Sequence, residues 1–176
     1  MSLYKRKIEE DVERYLKGES YKSLFIWGPR RSGKTTLINK IAKKIGVSVY
    51  NFDFETEREK FKPRREILDE IAKDNEVVII DEVQNYPEAT VVIKLLHDEY
   101  QKKVIATGSS ELRRKSDEFD SLAGRYKEIF CLPLSVYEIS ENENPKLSDM
   151  QEFQSKLTRN SLIYGSYPEV YIEDDK

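Results

Sequence analysis

Residues 28–35 read Gly28-Pro29-Arg30-Arg31-Ser32-Gly33-Lys34-Thr35, which fits the spacing GxxxxGK[ST] at every fixed position. This is the pattern of a phosphate-binding loop, whose backbone N–H groups turn inward around a polyphosphate. Gly28 and Gly33 allow backbone conformations that a Cβ would forbid. The pattern needs a strand before it and a helix after it. Ser23-Leu24-Phe25-Ile26-Trp27 is a short apolar run of strand-like composition, and Leu37, Ile38, Ile41, Ala42 and Ile45 recur at helical spacing just beyond the loop. The helix N-terminus adds its partial positive charge at the same point. The phosphates are therefore expected among Gly28, Pro29, Arg30, Arg31, Ser32, Gly33, Lys34, Thr35 and Thr36. Lys34 is expected to reach the β- and γ-phosphates and Thr35 to hold Mg²⁺ through its hydroxyl. For Arg30 and Arg31, phosphate contact and a solvated side chain both remain open.

The rest of the chain alternates strand and helix signals. An amphipathic helix over 4–17 carries Ile8, Val12, Tyr15 and Leu16 on one face and ends at Gly18. A second strand is expected over 47–54, a charged linker over 56–62, and a helix from Pro63 to about 73. Val77-Val78-Ile79-Ile80 is a continuous apolar run, as in a strand buried on both faces. A helix over 88–101 with Val91, Val92, Leu95 and Leu96 on its apolar face leads to a fourth strand, 104–107. A short helical piece is expected near 111–117 and a fifth strand over 126–132, ended by Pro133. A short helix begins near Ser135, a polar linker spans 141–147, and 148–163 is helical. Together these give a parallel sheet sandwiched between helices; with the phosphate loop, an α/β P-loop NTPase fold is expected, its five strands taken in the order 5-1-4-3-2. The ATPase domain is expected over 1–140, with 141–176 a linker and helical segment. Ligands on such sheets bind at the carboxyl ends of the strands, where every candidate residue is expected to fall.

Charged residues make up 36% of the chain but nearly cancel, 30 basic against 33 acidic, which gives no global case for nucleic-acid binding. The single cysteine, Cys131, sits in an apolar run and is expected in the core. One cysteine builds no disulfide framework, and no apolar stretch approaches a membrane span, so a cytoplasmic protein is expected.

The run 77–80 ends in Asp81-Glu82. An acid in this position matches a Walker B aspartate, so Asp81 is expected to bind Mg²⁺ and Glu82 to polarise a water for attack on the γ-phosphate. An acid pair favours hydrolysis over transfer to an organic acceptor. The order 5-1-4-3-2 sets the tip of strand four, Thr107-Gly108-Ser109-Ser110, between strands one and three, where a hydroxyl would meet the γ-phosphate or the attacking water. A plain Gly/Ser turn is the alternative. Arg125, just before strand five, would supply positive charge to the transition state, in its own site or a neighbour's; its alternative is a surface arginine paired with nearby acids.

Four segments together resemble one known group. They are residues 28–36, Ile80-Asp81-Glu82-Val83-Gln84-Asn85-Tyr86-Pro87, Thr107–Ser110, and Leu122-Ala123-Gly124-Arg125 followed by Leu132-Pro133-Leu134-Ser135. They look like the prokaryotic AAA-type ATPases whose core usually precedes a C-terminal, nuclease-like domain of unknown function. The resemblance covers about residues 20–140. It implies that Lys34 and Thr35 bind phosphate and Mg²⁺, that Asp81 and Glu82 are the Walker B pair, that Ser109 is a sensor, and that Arg125 is a finger. Gln84 belongs to the motif without an assigned role. Arg31-Ser32 stands where members often have Gln-Val. Because Tyr164–Glu169 resembles the opening of the C-terminal region, the sequence is expected to be the N-terminal core of a longer protein. The function expected is binding of ATP and Mg²⁺-dependent hydrolysis, with ADP released. Self-association or a partner protein would supply or receive Arg125, DNA would be met through the C-terminal region, and no membrane is involved. The rival readings are a nucleotide-gated switch for DNA or protein and a small-molecule kinase, whose lid would need the pair Arg113-Arg114.

Overall fold

A computed structural model describes residues 4–109 and 122–172. The helical piece expected near 111–117 and the pair Arg113-Arg114 lie outside the described residues. Five strands, β1 (Ser23–Gly28), β2 (Val49–Asn51), β3 (Val77–Asp81), β4 (Lys103–Ser109) and β5 (Tyr126–Phe130), form one sheet of order β2-β3-β4-β1-β5. Every pairing is parallel. This is the expected order read from the opposite edge.

The apolar runs account for the sheet's interior. Side chains alternate across a strand, so each buried strand feeds both faces. On one face Phe25, Trp27, Val78, Ile80, Val104 and Ala106 pack with α4 (Arg65–Asp74) and α5 (Ala89–Asp98). On the other, Leu24, Ile26, Ile79 and Ile105 pack with α1 (Ile8–Lys17) and α2 (Lys34–Ile45). Each large side chain so buried contributes about 1.5–3 kcal/mol relative to exposure. A third, small cluster of Leu134, Ile139 and Leu157, with Tyr4, Phe153 and Tyr171 against it, joins the N-terminal residues to α6 (Val136–Glu143), α7 (Met150–Tyr164) and α8 (Pro168–Ile172). Ser135 opens α6 with a capping box closed by Glu138.

Several local expectations are corrected. The stretch 56–62 is not a linker: α3 (Glu55–Glu59) forms there, and Phe61 after it is fully buried against Tyr50 and Phe52. Flanking charges hid a single core aromatic. Strand two is only Val49–Asn51, because the chain turns at once to drive Phe52 into the core. The buried face of α5 is Ala89, Val92, Ile93 and Leu96, the i, i+3, i+4, i+7 set, which turns Val91 out to 46% exposure. Cys131 is a free, fully buried thiol, as its apolar surroundings implied.

Candidate functional site

Parallel pairing aligns the carboxyl ends of the strands along one rim. Gly28 stands opposite Ser109, and Asn51 opposite Asp81. Ile80 pairs with Ala106, so Asp81 and Thr107 are the next residues in step. The phosphate-loop entrance and the tips of β3 and β4 are thus neighbours by register alone.

The loop is held tightly at its base. A Cβ on Gly28 would lie 2.1 Å from the carbonyl oxygen of Cys131, so the glycine serves close backbone approach from the end of β5. Gly33, at φ 96°, is in the left-handed region and immediately precedes α2. Lys34 is 5% exposed, and its Nζ donates to the carbonyls of Gly28 (3.0 Å) and Pro29 (2.9 Å), which sets the ammonium inside the curl of the loop. Thr35 and Thr36 are exposed on the first turn of α2, and Arg30 and Arg31 point outward. Arg31 Nη1 pairs with Glu169 at 3.3 Å.

Behind the loop lies a residue that the sequence did not single out. Arg6 is 8% exposed and donates to Ser32 O (2.8 Å), Leu132 O (2.5 Å) and Glu138 Oε1 (3.1 Å). It clamps the loop, the exit of β5 and α6 together. An arginine in a charged N-terminal stretch carries no signal in the sequence that it folds inward.

At the tips of β3 and β4, Asp81 is 2% exposed and its Oδ1 accepts a hydrogen bond from Thr107 Oγ1. Thr107 Oγ1 also accepts from the Glu82 N–H at 3.3 Å. Thr107 is therefore the acid pair's anchor, a role that sequence reading missed although the expected sheet order put it there. Glu82 sits at φ 54°, ψ 46°, a left-handed conformation that costs a non-glycine residue about 1–3 kcal/mol and is concentrated at functional sites. Its carboxylate accepts from Gln84 Nε2, and Gln84 Oε1 accepts the Ser109 N–H at 3.3 Å. Gly108 admits this packing, since a Cβ there would lie 2.4 Å from Trp27 Cζ3 and 3.0 Å from Gln84 Oε1. Gly108→Ala is expected to cost about 1–3 kcal/mol by overpacking. Differential scanning calorimetry would read this as a lowered Tm, and the fluorescence of the only tryptophan, Trp27, would shift with it.

Arg125 departs from expectation. It precedes β5, so it lies at the amino end of the sheet: its carbonyl accepts from the N–H of Ser23, the first residue of β1. The length of β1, about 16 Å at 3.3 Å per residue, separates it from the loop. Its Nε donates to both carboxylate oxygens of Asp98, at 2.8 and 3.0 Å. The hydrogen bond from Arg125 is the main cause holding the Asp98 carboxyl down at about 2.

Two observations bear on a nucleotide with Mg²⁺. Ser32 Oγ is buried in the loop with no hydrogen-bond partner among the described residues. Asp81 and Thr35 are hard oxygen donors, and the described residues hold no cluster of three or more His, Cys, Asp or Glu fit for a metal. A single carboxylate and a hydroxyl suit Mg²⁺, which keeps waters and takes its other ligands from phosphate. These residues fit the group. Among the described residues no helix is long and apolar enough to cross a membrane.

Comparison with solved structures gives the fold a setting. The Hsp104–casein complex of S. cerevisiae matches with a TM-score of 0.59 at 16% identity, over 95% of this chain and 36% of that one. The Walker-type ATPase PABY2304 of Pyrococcus abyssi matches with a TM-score of 0.57 at 16% identity, over 94% and 65%. A structure of Pif1 helicases on forked double-stranded DNA matches with a TM-score of 0.53 at 16% identity, over 77% and 45%. The chain spans less than two thirds of each of these, and at such identity the likeness is one of fold. No curated protein matches the sequence. The family model described as AAA domain matches residues 20–140, more than half of the chain. The chain belongs to the AAA domain family, as an AAA-type P-loop ATPase core.

Proposed function

We propose that this chain binds ATP with Mg²⁺ and hydrolyses it. The observation that carries the reading is the convergence of a buried loop lysine with an acid pair anchored on Thr107, all at one rim of the sheet. Lys34 and the loop amides hold the phosphates, and the α2 N-terminus faces the same charge. Thr35 and Asp81 hold the metal. Mg²⁺, when bound, neutralises charge on the β- and γ-phosphate oxygens. Glu82 takes a proton from the attacking water, and Ser109 meets the γ-phosphate from the tip of β4. Arg125 serves the site of a neighbouring copy. The chain is read as an ATPase core of the prokaryotic group described above, in a cytoplasmic protein.

The test is phosphate release from ATP with Mg²⁺, beside a nucleotide-binding titration, for the parent and Lys34→Ala. Loss of charge-assisted bonds worth about 1.5–3 kcal/mol should weaken ATP binding by roughly ten- to a hundredfold or more. A parent that binds no nucleotide would end this reading.

A further inference from the structure

Gln84 occupies the single 3₁₀ turn, Val83–Asn85, that follows Glu82. Its side chain is partly buried and faces two ways. Nε2 donates to Glu82 Oε2, and Oε1 accepts the N–H of Ser109. The opposite amide orientation would set oxygen against carboxylate and NH₂ against N–H, so both partners select the same one. Glu82 is then fixed twice to β4: its backbone N–H to Thr107 Oγ1, and its carboxylate, through the amide, to Ser109. The absence of a Cβ at Gly108 makes room for the second link.

We propose that Gln84 is a positioning residue that ties the Glu82 carboxylate to the tip of β4, so that the water-activating acid and the strand end beside the γ-phosphate are set as one unit. This rests on the ATPase reading above. The position requires both a donor and an acceptor. Methionine fills the same volume with neither, and glutamate sets a second carboxylate against Glu82. The side-chain hydrogen bonds of Gln84 go to Glu82 and Ser109, and those of Lys34 to Gly28 and Pro29, so nucleotide affinity is expected to change little when Gln84 is replaced.

The experiment compares the parent with Gln84→Met and Gln84→Glu. It measures kcat and KM for ATP, and the Kd for a non-hydrolysable ATP analogue with Mg²⁺. A misaligned base costs about ten- to a hundredfold in rate. The expected result is a kcat loss of that size in both variants, with Kd unchanged. A kcat at or above the parent's overturns the proposal. So does a parallel loss of kcat and analogue affinity, which marks a merely structural role. A second measurement stands apart from turnover: the side-chain NH₂ resonances of Gln84, assigned by their loss in Gln84→Met, should shift in Glu82→Ala. Unshifted resonances overturn the tie. If the parent releases no more phosphate than Glu82→Gln, the ATPase reading fails, and the resonances alone decide whether Gln84 holds Glu82.

Discussion

Replacing Glu82 with glutamine is expected to lower phosphate release by about 10²–10⁴-fold, the range supplied by a positioned general base, while ATP binding is retained. The substitution keeps the shape of the side chain and an oxygen that can still accept from Gln84 Nε2, so the link to β4 survives. The Thr107 hydroxyl continues to anchor the Glu82 N–H, and Asp81 keeps its own bond from Thr107. Lys34 binds through Gly28 and Pro29 and is untouched. What is lost is the capacity to take a proton. Single-turnover phosphate release and an equilibrium titration with Mg²⁺ and ATP separate the two effects. A variant that hydrolyses at the parental rate would remove Glu82 from the chemistry. One that fails to bind ATP would mark it as a structural residue, because loss of binding and loss of a chemical step are different free energies.

The contrast between what was and was not legible in the sequence follows the range of the interaction concerned. β1, β3 and α2 were readable because their signals are local: continuous apolar runs, a glycine pattern, and helical spacing. The sheet order followed from the same motif. Phe61 was not readable, since one aromatic among charges becomes a core residue only through contacts with Phe52 and Tyr50 supplied by other elements. Arg6 lies in a stretch with the composition of a solvated arm and is buried only because Ser32, Leu132 and Glu138 converge on it from distant parts of the chain. Thr107 and Arg125 are different. Their positions were implied by a parallel sheet of known order, since a residue just before a strand must lie at the rim opposite the loop. The expectation that every candidate lies at the carboxyl rim overlooked that Arg125 precedes its strand.

If Arg125 serves a neighbouring copy as proposed, it is the source of the largest expected effect. Arg125→Ala should lower turnover by about 10³–10⁵-fold, the range of an arginine finger. The effect should depend on assembly, because the length of β1 stands between Arg125 and its own loop. Asp98 presents the guanidinium without enclosing it: only Nε is committed to the carboxylate, and Arg125 remains partly exposed. For the parent, phosphate release per chain should then rise with protein concentration. The decisive measurement mixes two inactive variants. Lys34→Ala keeps the finger and loses its own site; Arg125→Ala keeps its site and loses the finger. If the finger acts on a neighbouring copy, the mixture regains phosphate release that neither variant shows alone. If Arg125→Ala turns over at the parental rate, the pair with Asp98 is only a link between α5 and the entry to β5. If Arg125→Ala is inactive and mixing restores nothing, Arg125 acts through the stability of its own chain, and a lowered Tm in that variant would report it.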